Sequence, residues 1–103
     1  MNYNDFKKTC QELGKKYGVY VDVKYHDLSN FGLQDWFSAS FEVDRFGGIA
    51  AMVSFYEDNL WYENGSHDID KRIFTRWSEM EEWLCYDIAE TEATRHFEMY
   101  NCD

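Results

Sequence analysis

Residues that could carry out catalysis are few and widely separated in this chain. Its three histidines, His26, His67 and His96, lie far apart in the sequence. No G-x-S-x-G nucleophile motif, no H-E-x-x-H zinc motif and no phosphate-binding glycine loop is present. The sequence therefore predicts a protein that is not an enzyme and has no catalytic residues.

Two groups of side chains could supply ligands to a metal ion. Glu92 and His96 are four residues apart in a segment with helical periodicity, so both would lie on one face of a helix. The second group, in a loop, is His67, Asp68 and Asp70. Neither group has paired cysteines to complete a site, and a solvent-exposed helix pair also explains Glu92 and His96. We therefore expect no metal site and no cofactor.

The densest chemical feature is the acidic segment at residues 77–98. It contains a single cation, Arg95, and seven carboxylates. These are Glu79, Glu81, Glu82, Asp87, Glu90, Glu92 and Glu98. The segment is either the solvated face of a helix or an anionic surface displayed to a partner. We favour display, because an apolar stripe that includes Tyr86 and Phe97 would anchor the charge.

The charge balance of the whole chain favours a basic partner. Twenty acids against ten Lys and Arg give a formal net charge of −10. Residues 1–24 carry five lysines against three acids, whereas residues 25–103 carry five cations against seventeen acids. This field repels phosphate and accelerates association with a basic protein, so we expect neither direct nucleic-acid binding nor binding to an anionic membrane. The alternative is that the acidity only keeps the protein in solution.

Aromatic residues make up 19% of the chain, with four Trp, eight Tyr and eight Phe. A core formed by 103 residues can hardly enclose all of them. Since Trp and Tyr supply large, rigid contact area at interfaces, their abundance predicts a binding surface.

The length and the cysteines predict one domain, residues 1–103, in a reducing compartment. Cys10, Cys85 and Cys102 form an odd set with no C-x-x-C spacing, and Cys10 and Cys85 are expected to be small core residues. The chain has no long apolar run and begins with a charged amphipathic pattern, which favours a cytoplasmic location.

The first element predicted is a helix at residues 4–17, capped by Asn4. Its apolar stripe is Phe6, Cys10, Leu13 and Tyr17, and Gly18 ends it.

Alternating and apolar stretches then predict strands at residues 19–25, 36–44, 49–56 and 60–63, with an edge strand around 72–75. The third is apolar on both sides and is expected to lie centrally. In the second predicted strand, residues 36–44, the side chains opposite the core are Trp36, Ser38, Ser40, Glu42 and Asp44. The predicted core includes Val21, Val23, Phe37, Phe41, Val53 and Phe55.

The last helix is predicted to begin at a capping box, Ser78 to Glu81, and to run to about Met99. Its apolar residues form two sets on nearly opposite sides. One set is Met80, Trp83, Leu84 and Ile88; the other is Tyr86, Ala89, Ala93, Phe97 and Tyr100. Either the helix breaks near residues 87–90 or one set forms an interface. The fold class expected is α+β, an antiparallel meander of three to five strands flanked by an N-terminal and a C-terminal helix.

The order of these elements is similar to that of the double-stranded RNA-binding domain, αβββα. Glu79, Glu81 and Glu82 stand where that family has a basic cluster, which contradicts phosphate binding. The chain is also similar to frataxin in size and acidity, but its first helix carries lysines where frataxin carries acids. Neither likeness indicates a function.

In size, charge, its proline-free α+β pattern and its lack of catalytic motifs, the chain resembles the small acidic inhibitors that phages encode, especially anti-CRISPR proteins. The resemblance implies a protein of the host cytoplasm that blocks the nucleic-acid or PAM-reading channel of a Cas nuclease with carboxylates in place of phosphates. Such channels are lined with Lys and Arg.

The sequence thus predicts a non-enzymatic inhibitor that binds a basic, nucleic-acid-binding protein such as a CRISPR Cas effector. An immunity or antitoxin-type protein that neutralises a basic toxin is the alternative. The predicted partner-binding residues are Glu79, Glu81, Glu82, Tyr86, Glu90, Trp36, Glu42 and Asp44.

Overall fold

The computed structural model describes residues 1–44, 48–64 and 71–101, with the backbone alone for Lys71 and for residues 97–101. Its five strands form one antiparallel sheet in which each strand pairs with the next along the chain, which confirms the predicted α+β class. The elements are α1 (Tyr3–Tyr17), β1 (Tyr20–His26), a 3₁₀ turn (Ser29–Phe31), β2 (Trp36–Glu42), β3 (Ile49–Tyr56), β4 (Asn59–Asn64), β5 (Lys71–Phe74) and α2 (Trp77–Asn101).

Both helices pack on the same side of the sheet, which we call the covered face. α1 contacts β1 and β2, and α2 contacts β3, β4 and β5. Phe41 and Val53 are fully buried between the layers, and the ring of Phe6 lies 5.7 Å from Phe37 and 5.8 Å from Trp77. Of the other predicted core residues, Val21, Val23, Phe37 and Phe55 are partly buried against the same cluster. The predicted alternation therefore identifies the covered face correctly.

The cap of α1 differs from the prediction. Asn2, rather than Asn4, is the cap, because its side-chain oxygen accepts a hydrogen bond from the backbone N–H of Asp5 at 2.8 Å. The helix therefore begins at Tyr3, and the centre of the Tyr3 ring lies 5.3 Å from the centre of the Tyr25 ring. Gly18, in the left-handed conformation, ends the helix as expected.

Gly14 sets the distance between α1 and β1. A Cβ atom on Gly14 would lie 2.4 Å from Cγ2 of Val21 and 3.2 Å from the carbonyl oxygen of Val19. Glycine lowers helix propensity. Here its lack of a side chain allows the helix to approach the sheet.

β3 is central, as predicted, but only one of its faces is covered. Met52, on the other face, remains 41% exposed, and Ser54 and Tyr56 alternate with it on that side. No described helix packs there, so we call this side the open face. The apolar composition of both faces indicated a strand in the middle of the sheet, yet it does not show that both faces are buried.

α2 is one continuous helix of 25 residues. The N–H of Met80 donates to the carbonyl of Arg76 at 3.3 Å, so Ser78 lies inside the first turn. The prediction that Ser78 caps this helix is therefore wrong. The first apolar set is buried at Met80, Leu84 and Ile88.

Cys85, which was predicted to be a core residue, faces outward instead, and so does Trp83 of the first apolar set. Trp83 is 37% exposed, and Cys85 is also exposed. Each immediately precedes or follows the buried Leu84, and successive helical residues are rotated by about 100°. Cys10, by contrast, is buried as predicted, and this burial raises the pKa of its thiol to about 12.

Among the described residues, no helix combines the length and the apolar composition that crossing a membrane requires.

Candidate partner-binding surfaces

The structure divides the eight predicted partner-binding residues between separate surfaces. Glu79, Glu81, Glu82, Tyr86 and Glu90 lie on α2, above the covered face. Trp36 and Glu42 lie on the open face at opposite ends of β2, about 20 Å apart along the strand, and Asp44 follows the end of that strand. They therefore do not form a single site.

Four of these residues form one outward stripe, which we call the α2 acidic stripe. Glu79, Glu82, Tyr86 and Glu90 follow one another at spacings of three, four and four residues, so they lie on one side of the helix over about 16 Å. All four are exposed, and Tyr86 is 65% exposed. An aromatic ring thus stands between carboxylates on a surface that the fold does not use for packing.

Glu81 is an acid of α2 that is engaged within the protein. Its Oε2 atom lies 3.0 Å from Nζ of Lys16, and the pair joins α2 to α1. The hydrogen bond and the charge of Glu81 raise the pKa of Lys16. Because its side chain is only 29% exposed, Glu81 is less available to a partner than Glu82.

Asp87, a second engaged acid, is buried against the sheet and accepts a hydrogen bond from the hydroxyl of Tyr62. Burial raises the pKa of the Asp87 carboxyl above its ordinary value, against the opposing effect of the Tyr62 bond. Burial and this hydrogen bond also raise the pKa of Tyr62. Asp87 therefore belongs to the interior rather than to a displayed surface.

Asp44 is held by α2. Its Oδ2 atom accepts a hydrogen bond from Nε of Arg95 at 2.6 Å, and its Oδ1 atom accepts one from the N–H of Gly48 at 3.3 Å. Arg95 is the single cation of the acidic segment, and it forms an ion pair with Asp44, which lies outside that segment.

Trp83 stands beside the α2 acidic stripe. The guanidinium of Arg72, on β5, lies 3.8 Å from the centre of its ring, which is a cation–π contact. This contact explains how a large ring is retained on the outside of α2.

The open face carries a groove that the sequence reasoning missed. It has a volume of about 400 Å³ and lies where the β1–β2 loop meets strands β2, β3 and β4. The lining residues are Leu28, Leu33, Trp36, Ser54, Tyr56, Glu57 and Trp61. Trp36 was the one lining residue predicted to bind a partner. The alternation of β3 and β4, which places Ser54 directly opposite Trp61, was the signal that could have identified the others.

One wall of this groove is held in place by the β1–β2 loop. The Oδ1 atom of Asp35 accepts the backbone N–H of Leu28 at 2.8 Å, and its other oxygen accepts the hydroxyl of Tyr25. Asp27 accepts both the N–H and the hydroxyl of Ser29, and these bonds lower the pKa of Asp27. The loop therefore has a defined conformation that positions Leu28.

The aromatic side of the groove is also supported from within. Trp36 stacks on His26 with ring centres 3.7 Å apart, and Nε2 of His26 lies 2.8 Å from Oγ of Ser38. Nε1 of Trp61 donates to the carbonyl of Tyr56 at 3.1 Å. Both indoles are thus oriented by neighbours on the sheet.

The structure describes one of the two predicted groups of metal ligands. Among the side chains that the structure describes, no three His, Cys, Asp or Glu residues come together as a metal site. Glu92 and His96 are both exposed on α2. The group His67, Asp68 and Asp70 lies outside the described residues.

Two surfaces thus combine aromatic rings with carboxylates: the α2 acidic stripe and the open-face groove, on opposite sides of the sheet. No protein-family model matches the chain, and comparison with curated proteins and with solved structures likewise gives no match.

Proposed function

We propose that this protein is a non-enzymatic inhibitor of the anti-CRISPR kind, which binds the basic nucleic-acid-binding surface of a Cas effector through its α2 acidic stripe. The observation that carries the proposal is the position of Tyr86. It is 65% exposed between the exposed carboxylates of Glu82 and Glu90, whereas Glu81 and Asp87 are engaged within the fold.

The stripe suits a surface that binds nucleic acid. A channel lined with Lys and Arg attracts anions, and carboxylates can occupy positions there that phosphates otherwise take. The net charge of −10 accelerates the encounter. Tyr86 then supplies rigid contact area, because a tyrosine buried at an interface contributes more to affinity than most surrounding residues.

The test is competition for DNA. Wild-type protein should displace labelled target DNA from a guide-loaded Cas effector at low salt, and rising salt should weaken this inhibition. The double reversal E82K/E90K should reduce inhibition at least tenfold while changing the free energy of unfolding by less than about 1 kcal/mol, because both side chains are exposed.

A matched control separates the position of the charge from its amount. E63K/E92K changes the net charge equally, but Glu63 lies on the open face and Glu92 lies away from the stripe. If both double variants lose inhibition equally, the general field rather than the stripe is responsible. If wild-type protein displaces DNA from no Cas effector in a panel, the anti-CRISPR form of the proposal is wrong.

A further inference from the structure

We infer that the open-face groove is a second binding site, and that it binds the arginine side chain of a basic polypeptide. The inference is independent of the α2 acidic stripe, because the groove lies on the other side of the sheet. It rests on the kinds of side chain that line the groove, on their charge and on the contacts that hold them in place.

Three aromatic rings from three adjacent strands line the groove. Trp36 comes from β2, Tyr56 from β3 and Trp61 from β4, while the small side chain of Ser54 leaves space between them. The faces of Trp and Tyr rings attract cations through their negative quadrupole. Three such rings around one space favour a cationic group over a neutral one.

The charge at the groove also favours a cationic ligand. The acidic residue Glu57 lines it, and Asp58 follows in the same two-residue turn. Both residues are exposed at the tip of the β3–β4 hairpin. An anionic ligand would be repelled there, whereas a cation gains both ring and carboxylate contacts.

Arginine fits this lining better than lysine. Its planar guanidinium stacks on aromatic rings. Because it is more weakly hydrated than an ammonium group, it loses less hydration free energy on entering an apolar space. Leu28 and Leu33 offer apolar contact to the methylene stem. Since the groove is open to solvent, the rest of a polypeptide can continue past it.

The groove is formed before any ligand arrives. Asp35 holds Leu28, His26 stacks on Trp36, and the indole of Trp61 is bonded to the backbone of Tyr56. Little conformational entropy is therefore lost on binding.

The test uses a capped pentapeptide with one central arginine between glycines, titrated into the full chain and followed by NMR. A peptide with citrulline in place of arginine has the same shape without the charge. We expect the indole signals of Trp36 and Trp61 to shift with millimolar arginine peptide, those of Trp77 and Trp83 to stay in place, and the citrulline peptide to bind more weakly.

Matched variants locate the site. Trp61→Leu and Glu57→Gln should each weaken binding by about two- to fivefold. Trp83→Leu and Glu82→Gln should leave it unchanged, although Trp83 is 37% exposed and Trp61 36%. Glu57→Gln keeps the shape of the side chain, so it reports on the charge even if Trp61→Leu disturbs the sheet.

Three results would overturn the inference. The first is that the arginine peptide shifts the indole signals of neither Trp36 nor Trp61. The second is that the citrulline peptide binds as well as the arginine peptide. The third is that the α2 variants weaken binding while the groove variants do not. The last result would place the peptide on the α2 acidic stripe and would leave the proposed function standing.

Discussion

The covered and open faces of the sheet are built from the same strands, but only the covered face packs against the helices. Phe41 and Val53 on the covered face are fully buried, whereas Met52 and Trp61 on the open face are 41% and 36% exposed. Large apolar and aromatic side chains occur on both. A hydrophobic residue in a central strand therefore does not by itself indicate core, because burial depends on whether another layer covers that face.

The largest expected contrast is between Phe41→Ala and Met52→Ala. Phe41→Ala should lower the free energy of unfolding by about 3–5 kcal/mol, because it leaves a cavity in the core. Met52→Ala should cost less than about 1 kcal/mol, because its side chain is already partly in water. Urea unfolding measures both. A similar loss for the two variants would mean that the open face is covered in solution.

Gly14→Ala tests the spacing between the covered face and α1. The added methyl group collides with Val21, so we expect a loss of about 1–3 kcal/mol despite the higher helix propensity of alanine. In a double-mutant cycle measured by urea unfolding, Val21→Ala should recover part of that loss. Independent, additive effects would show that the helix moves away freely.

Asp87 gives the covered face a pH-dependent contribution to stability. Its pKa in the folded state is raised above its unfolded value by burial, so the folded protein retains the proton to higher pH. The contribution of Asp87 to stability is therefore largest below about pH 4 and declines as the pH rises through the folded pKa. Asp87→Asn should remove this decline in urea unfolding between pH 3 and 7, roughly the range in which carboxyls titrate. Glu92→Gln, at an exposed site, is the control and should leave it unchanged.

Tyr62→Phe examines the same contact from the sheet. Without the hydroxyl, the Asp87 carboxylate lacks its buried donor, and we expect a loss of about 1–3 kcal/mol at neutral pH. The loss should be smaller in acid, where Asp87 is protonated. A loss that does not vary with pH would indicate that packing of the ring, rather than the hydroxyl, is responsible.

The smallest effect is expected at the edge of the open face. Glu57 and Asp58 both have positive φ, 52° and 61°, in a turn that favours Asn and Gly. Asp58→Gly should therefore raise the free energy of unfolding by up to about 1 kcal/mol. If thermal unfolding shows destabilisation, the Asp58 side chain contributes more to the turn than its backbone conformation costs.

Much of the fold could be predicted because its signals are local. Period-two alternation identified the buried side of β2, and the spacing of Phe6, Cys10 and Leu13 identified that of α1. The site was predicted less well. Cys85 was placed in the core and the groove was missed, because one residue of helical rotation and the covering of a sheet face are decided by packing between distant segments.

The sequence by itself determined the order of the elements, the antiparallel class and the acidity of the surface, since these follow from periodicity and composition. Only the tertiary structure decided which acids remain displayed. Glu81 meets Lys16 across 65 residues of chain, and Asp87 meets Tyr62 across 25, while the loop at Leu28 closes a groove against strands β3 and β4. Such contacts depend on how the layers pack, and packing brings together side chains whose separation along the chain does not reveal that they are neighbours.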